Sequence, residues 1–216
     1  MLRRLLVVLG GGLAAAVFVS PALAVDVKIR VEGARVSIFG KSEPRLAPVT
    51  GTFSPPEGPD VTVSGPTPLG ALERASRRRE FYYRVQGTSF GPYVDRIGRR
   101  AATGSSGWVY KVNHMSPPVG ADSYELEKGD SVLWYWATFG PSGGPKTLDL
   151  ARAGAGCFRA FAYDDTGKRS RPGNVVFVRN GRREIASESG RYCPPAGWDT
   201  LRAKKQGLVR SELVRS

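Results

Sequence analysis

The chain has 216 residues, 41% hydrophobic and 24% charged, a balance that excludes a disordered or fibrous polymer and suits a folded protein. Its 27 glycines and 16 prolines favour many short strands and turns over long helices. The formal net charge is +13, and a single histidine excludes a His-rich metal centre.

Residues 1–24 read as a removable secretory leader. Met1-Leu2-Arg3-Arg4 is a basic start, Leu5 to Val19 is apolar, and Ser20-Pro21 breaks any helix. Ala22 and Ala24 then stand at the two small-residue positions a signal peptidase reads, so cleavage is expected after Ala24. The alternative, a membrane anchor, needs about 20 apolar residues, and this run is shorter. No second apolar segment follows and the leader has no cysteine, so neither a transmembrane nor a lipid anchor is expected. The expected organisation is a first domain over 25–139, a linker over 140–147 and a second domain over 148–216.

Val25 to Gly33 alternates, with Val25, Val27, Ile29 and Val31 on one face and Asp26, Lys28, Arg30 and Glu32 on the other. That pattern predicts a strand with one face on a core and one in water. Residues 34–39 continue it after a turn at Gly33. Gly40 to Gly65 is proline-rich loop around a short strand at Val61-Thr62-Val63. Thr67 and Pro68 then open the one helix, with Leu69, Leu72 and Ala75 on one face. It ends in Arg77-Arg78-Arg79, read either as charge complementing the helix dipole or as a nucleic-acid patch, the former preferred. Residues 81–85 and 93–97 read as strands.

The stretch from Gly107 to Trp136 organises the rest. It reads as two half-buried strands, an Asn113-His114 turn, a Pro-rich loop, a Gly129-Asp130 turn and a last aromatic strand. Trp108, Tyr110 and Val112 share one face. Val132, Trp134 and Trp136 alternate with Leu133 and Tyr135, so both faces are apolar and the strand should be central in its sheet.

The segments TPLGALERA, SFGPYVDRIG, GWVYKVN and VGADSYELEKGDSVLWYW together resemble the transcobalamin-like C-terminal domain family, small β-grasp-like domains of bacterial secreted proteins. The resemblance covers roughly 25–139. It implies a helix packed on a β-grasp sheet and suggests a corrinoid-like small-molecule ligand. The helical barrel that completes the transcobalamin site has no counterpart here. His114 departs from the pattern, which usually has glycine in that turn.

After the Gly140–Gly144 linker signal, short strands are expected at 157–163, 174–178, 183–186, 200–204 and 207–214, with a strong hairpin turn at Asn180-Gly181. This half resembles carboxypeptidase-regulatory-like or bacterial-Ig-like β-sandwiches through YDDTGK, VVFVRNGR and LRAKKQGLVRSE. The expected fold is therefore mainly β with one helix: a β-grasp-like domain plus a small antiparallel β-sandwich. Cys157 and Cys193 predict a disulfide in an exported chain; a redox or metal pair lacks a C-x-x-C. Charge is uneven: 15 basic and 12 acidic residues over 25–140, against 15 and 7 over 141–216. The basic second half suits anionic wall polymers, although a genome that encodes arginine freely gives the same count.

No catalytic constellation emerges. His114 sits in a turn, Asp164 and Asp165 read as a turn rather than a calcium loop, and no nucleophile elbow or phosphate loop is present. The chain is read as no enzyme, without metal or cofactor. Trp108, Tyr110, Asn113, His114, Trp134 and Trp136 are the candidate ligand-binding residues, because aromatic faces supply contact area with few torsions to freeze. The same aromatics also suit a plain core. A nucleic-acid partner is not expected, since the half that carries them is weakly basic. The sequence reading is a secreted, non-catalytic binding module for a small molecule. The alternative is a structural cell-envelope protein held to anionic polymers by its second half. Oligomeric state is left open.

Overall fold

A computed structural model describes residues 25–79, 81–185 and 188–216. The leader reading, with Ala22 and Ala24, lies outside the described residues. The fold is mainly β with a single helix.

The first half begins with β1 (Val27–Glu32), β2 (Ser37–Phe39), β3 (Arg45–Leu46), β4 (Gly51–Phe53) and β5 (Val61–Val63). Helix α1 (Pro68–Arg79) follows, then β6 (Tyr83–Thr88), β7 (Gly91–Ile97), β8 (Arg100–Ala101), β9 (Ser106–Val112) and β10 (Ser131–Thr138). The main sheet runs β2-β1-β10-β9, with β3 also on β1. β1 and β10 are parallel and central, while β9 pairs antiparallel with β10. A mixed sheet with a parallel central pair and a helix across one face is the β-grasp arrangement.

Local chemistry explains α1. Thr67 Oγ1 accepts from Gly70 N–H at 3.1 Å, capping an otherwise orphaned donor. Leu69, Leu72 and Ala75 are fully buried, as their spacing requires. Gly70 lets the helix press against the chain at Val49: a Cβ there would lie 2.1 Å from the Val49 carbonyl oxygen. Trp134 Nε1 donates to Pro68 O at 3.1 Å, fixing the helix start over β10. The first core gathers Val27, Ile29 and Val31 of β1, the helix face, and Val132, Trp134 and Trp136 of β10. Residues 124–126 are irregular, although Leu126 is buried.

The second half holds β11 (Thr147–Arg152), β12 (Phe158–Tyr163), β13 (Arg169–Ser170), β14 (Val176–Arg179), β15 (Arg182–Ile185), β16 (Arg191–Tyr192), β17 (Thr200–Lys204) and β18 (Val214–Arg215). One sheet runs β11-β12-β13 with β16 on β12, the other β15-β14-β17-β18. A second core between them takes Leu148 and Leu150, Phe158 to Ala162 on alternate positions, Phe177, Leu201 and Ala203. Asn180 and Gly181 both have positive φ, 45° and 77°, as a tight hairpin demands. The sequence reading missed β11, because Asp149 and the preceding Gly-Gly-Pro obscure a strand whose only apolar pair is Leu148 and Leu150. It also overextended the last strand: within 207–214 Val209 makes only an isolated bridge to Thr147, and the strand is confined to Val214–Arg215.

Cys157 and Cys193 are bonded, with Cα atoms 4.0 Å apart. They extend the Phe158–Tyr192 pairing of β12 with β16 by one residue. Closing this loop stabilises by roughly 4 kcal/mol in the chain-entropy view.

The polar face of β1 departs most from expectation. Arg30 and Glu32 are only 3% and 1% exposed. The second half covers them. It also covers the other apolar face of β10, where Leu133, Tyr135 and Ala137 meet Val209. The two cores are therefore joined along a seam that is partly apolar and partly charged.

Candidate functional site

The structure pairs Trp108 with Trp136 and Tyr110 with Trp134 across β9 and β10. It leaves little of these rings open. Trp108 is 1% exposed and donates to Arg100 O at 2.8 Å, while Trp134, at 2%, is held by Pro68. Tyr110 is half-buried, with its hydroxyl on Val119 O at 2.7 Å. These three are packing residues of the first core. Trp136 differs: it stacks edge-on against Trp108, carries Arg100 over its ring at 4.8 Å, and lines a cleft.

Asn113 and His114 form the expected tight turn, with φ of 49° and 73°. Asn113 binds Asp130 Oδ1 through its amide nitrogen at 2.7 Å and accepts from Ser131 N–H at 3.0 Å. Histidine enters the positive-φ region less freely than glycine. Here its ring lies flat on Tyr163 of the second half, centroids 3.9 Å apart and planes 9° apart. His114 is thus half-buried at the seam rather than exposed in a free turn. Burial lowers its pKa, opposed by the Asp149 and Glu43 carboxylates.

Lys111 lies beside this stack, fully buried. Its ammonium donates to Asp164 O at 2.8 Å and meets Asp165 Oδ1 at 3.2 Å. Burial lowers its pKa, with Asp165 working against that shift. Asp164 forms the turn read from sequence: Oδ1 accepts from Thr166 Oγ1 and from the N–H groups of Thr166 and Lys168. Among the described residues no group of three or more His, Cys, Asp or Glu converges as metal ligands do.

The other end of the seam is built on Glu32. Its carboxylate receives Arg30, Arg202 and Arg210, and Ser37 Oγ at 2.9 Å. Arg210 also reaches Arg35 O, and Arg202 reaches Ser211 O at 2.6 Å. Burial alone would raise the Glu32 pKa; the three guanidinium groups outweigh it and hold the carboxyl below its usual range. Nothing in the alternating pattern of β1 signalled this, because the arginines that complete it lie far along the chain.

Next to that cluster opens a cleft of about 730 Å³. Trp136 and Thr138 form one wall, Val176 and Val178 of β14 the other, and Leu208 and Val209 the floor. Lys204, Lys205 and Arg210 stand along it. Phe177 points into the second core, so Val176 and Val178 present the opposite face of β14. This was the readable signal: a strand, VVFV, apolar on both faces. The cleft therefore combines apolar walls with cationic groups, a surface suited to an amphipathic anion.

The chain is thus mainly β, with one disulfide and a cleft where its two halves meet. The family model for a domain of unknown function (DUF4430) matches residues 67–138. The match runs from the cap of α1 to the end of β10, the span that carries the motifs quoted above. No curated protein matches the chain. Among the described residues no helix is long and apolar enough to cross a membrane.

Proposed function

We propose that the protein is an exported, non-catalytic binding module that holds a small amphipathic anion in the cleft between its halves. The cleft itself carries this reading. Its volume falls within the roughly 300–1,000 Å³ of small-molecule sites, and such sites favour domain junctions. The likeness of the first half to transcobalamin-like domains supports a small-molecule ligand, a corrinoid being the kind it suggests. The disulfide supports an oxidising compartment. The commitment of the single histidine to a ring stack supports a role without general-base chemistry.

The test is titration of the full chain with dodecanoate, and separately with cyanocobalamin, followed by tryptophan fluorescence. Dodecanoate should change the emission, and Trp136→Phe should remove most of that change. Lys204→Glu, at an exposed position, should weaken binding at least tenfold, and Val178→Phe should block it by filling the cleft. Absence of any response to either ligand, or a response indifferent to Lys204→Glu and Val178→Phe, would refute the reading.

A further inference from the structure

A second concavity, of about 350 Å³, shares no lining residue with the cleft. Three separate elements bring cations to it. Arg78 and Arg79 come from the last turn of α1, Lys41 from the loop after β2, and Arg215 from β18. All four are exposed. None has an ion-pair partner among the described residues, and no described acidic residue lines the groove. Glu43, two residues after Lys41, turns inward to Arg30 and Ser131.

The helix dipole accounts for basic residues in the last turn of α1. It does not account for Lys41 or Arg215, which reach the same groove from elsewhere. Arg77, the third arginine of the run, is paired with Glu73 on its own helix and stays out of the groove. The convergence is fixed by backbone: Leu213 N–H donates to Lys41 O at 2.7 Å, so the last strand is tied to the loop that carries Lys41. Four like charges held in one concavity repel one another and raise the local concentration of anions.

We propose that this groove is a docking site for a linear phosphate-bearing polymer, with successive phosphates seated between Arg78/Arg79 and Lys41/Arg215. Arginine forks match phosphate and carboxylate oxygens alike; a chain of phosphates supplies the run of closely spaced negative charge that four cations in one groove attract. Single-stranded nucleic acid would in addition need aromatic faces on which to stack its bases. The one aromatic residue lining the groove, Phe39, is 5% exposed and packed into the first core. A polymer of phosphates without bases is the occupant that fits. The site is composite, since Arg215 belongs to the second half and the other three cations to the first. It lies apart from the cleft of the proposed function and stands or falls independently of it.

The experiment uses the full chain and medium-length sodium polyphosphate as probe, with single-stranded oligothymidylate and heparin as comparison arms. Polyphosphate should bind, and its affinity should fall roughly 50-fold between 50 and 200 mM salt if about four charges are neutralised. Arg78→Ala/Arg79→Ala and, separately, Arg215→Ala should each lower affinity at least tenfold and flatten the salt dependence. Lys128→Ala, at an exposed position outside the groove, should leave it unchanged. All the altered side chains are exposed, and thermal melts would show that the variants fold. Equal or tighter binding of oligothymidylate or heparin would overturn the assignment to a phosphate polymer. Loss confined to the helix arginines would overturn the composite site, and indifference to both variants would overturn the proposal.

Discussion

The carboxylate of Glu32, in the central sheet of the first half, receives the guanidinium of Arg202 from β17, 170 residues later in the chain. Both groups are buried, and Arg30 and Arg210 complete the cluster. This joins one core to the other through charge at a place where water would otherwise reach β1. Hydrophobic contact alone is modest there: the apolar part of the seam rests on Leu133, Tyr135, Ala137 and Val209.

Replacing Glu32 by Gln keeps the shape and removes the charge. Three arginines would then share a buried site without a counter-ion. Breaking a buried ion cluster on one side costs about 3–5 kcal/mol, more than the pair contributes when intact. Glu32→Gln should therefore lower the melting temperature and split a single calorimetric transition into two, as the halves lose their coupling. A variant that melts in one transition at the wild-type temperature would show that the cluster does not hold the halves together.

Periodicity recovers what depends on neighbours in sequence. The buried face of β1, the cap and face of α1, and the shared face of Trp134 and Trp136 were all legible, because each follows from residues a few positions apart. Arg30 and Glu32 were read as solvent-facing for the same reason. Their burial depends on Arg202 and Arg210, which no local pattern connects to β1. The aromatic cluster admitted two readings, a core or a ligand platform. Trp108 and Trp134 look like ligand platforms in sequence, but the helix start at Pro68 and the carbonyl of Arg100 occupy their polar edges. The cleft was half legible: Val176 and Val178 showed a second apolar face, while the partner wall at Trp136 could be found only in three dimensions.

His114 balances two opposed effects. Its φ of 73° lies in the left-handed region, which glycine enters more freely than histidine, while its ring stack on Tyr163 compensates. A stacked aromatic pair contributes about 0.5–1.5 kcal/mol. His114→Ala keeps the backbone strain and loses the stack, so it should destabilise by about 1–2 kcal/mol in urea unfolding. His114→Gly loses the stack and relieves the strain, so it should fall within about 0.5 kcal/mol of wild type. If alanine and glycine destabilise equally, the turn stores no strain.

Glu212 gives the fold a pH dependence of definite sign. Leu150 N–H donates to its Oε1 at 3.0 Å. Burial, and then the nearby Asp149 carboxylate, push its pKa up to about 8, with Glu43 adding to the effect and Arg30 opposing it. In the unfolded chain the same group titrates near 4.5. Below that value both states are protonated and Glu212 has no effect on stability. Between about 4.5 and 8 the unfolded chain has released this proton and the folded chain still holds it, so the unfolded state binds fewer protons and stability falls as pH rises. The penalty over that window is on the order of 5 kcal/mol. Buried His114 works in the opposite sense: its pKa is lowered on folding, so its contribution to stability is lost as pH drops below about 6.5. A single wild-type curve therefore mixes the two slopes, and a variant is needed to separate them. Glu212→Gln mimics the protonated acid and can still accept from Leu150 N–H. It should match wild type in stability near pH 4 and exceed it progressively towards pH 8.5. The difference between the two unfolding free energies, measured across that range, isolates Glu212 from His114 and from the exposed carboxylates. Parallel curves would mean that the Glu212 carboxyl ionises normally in the folded protein.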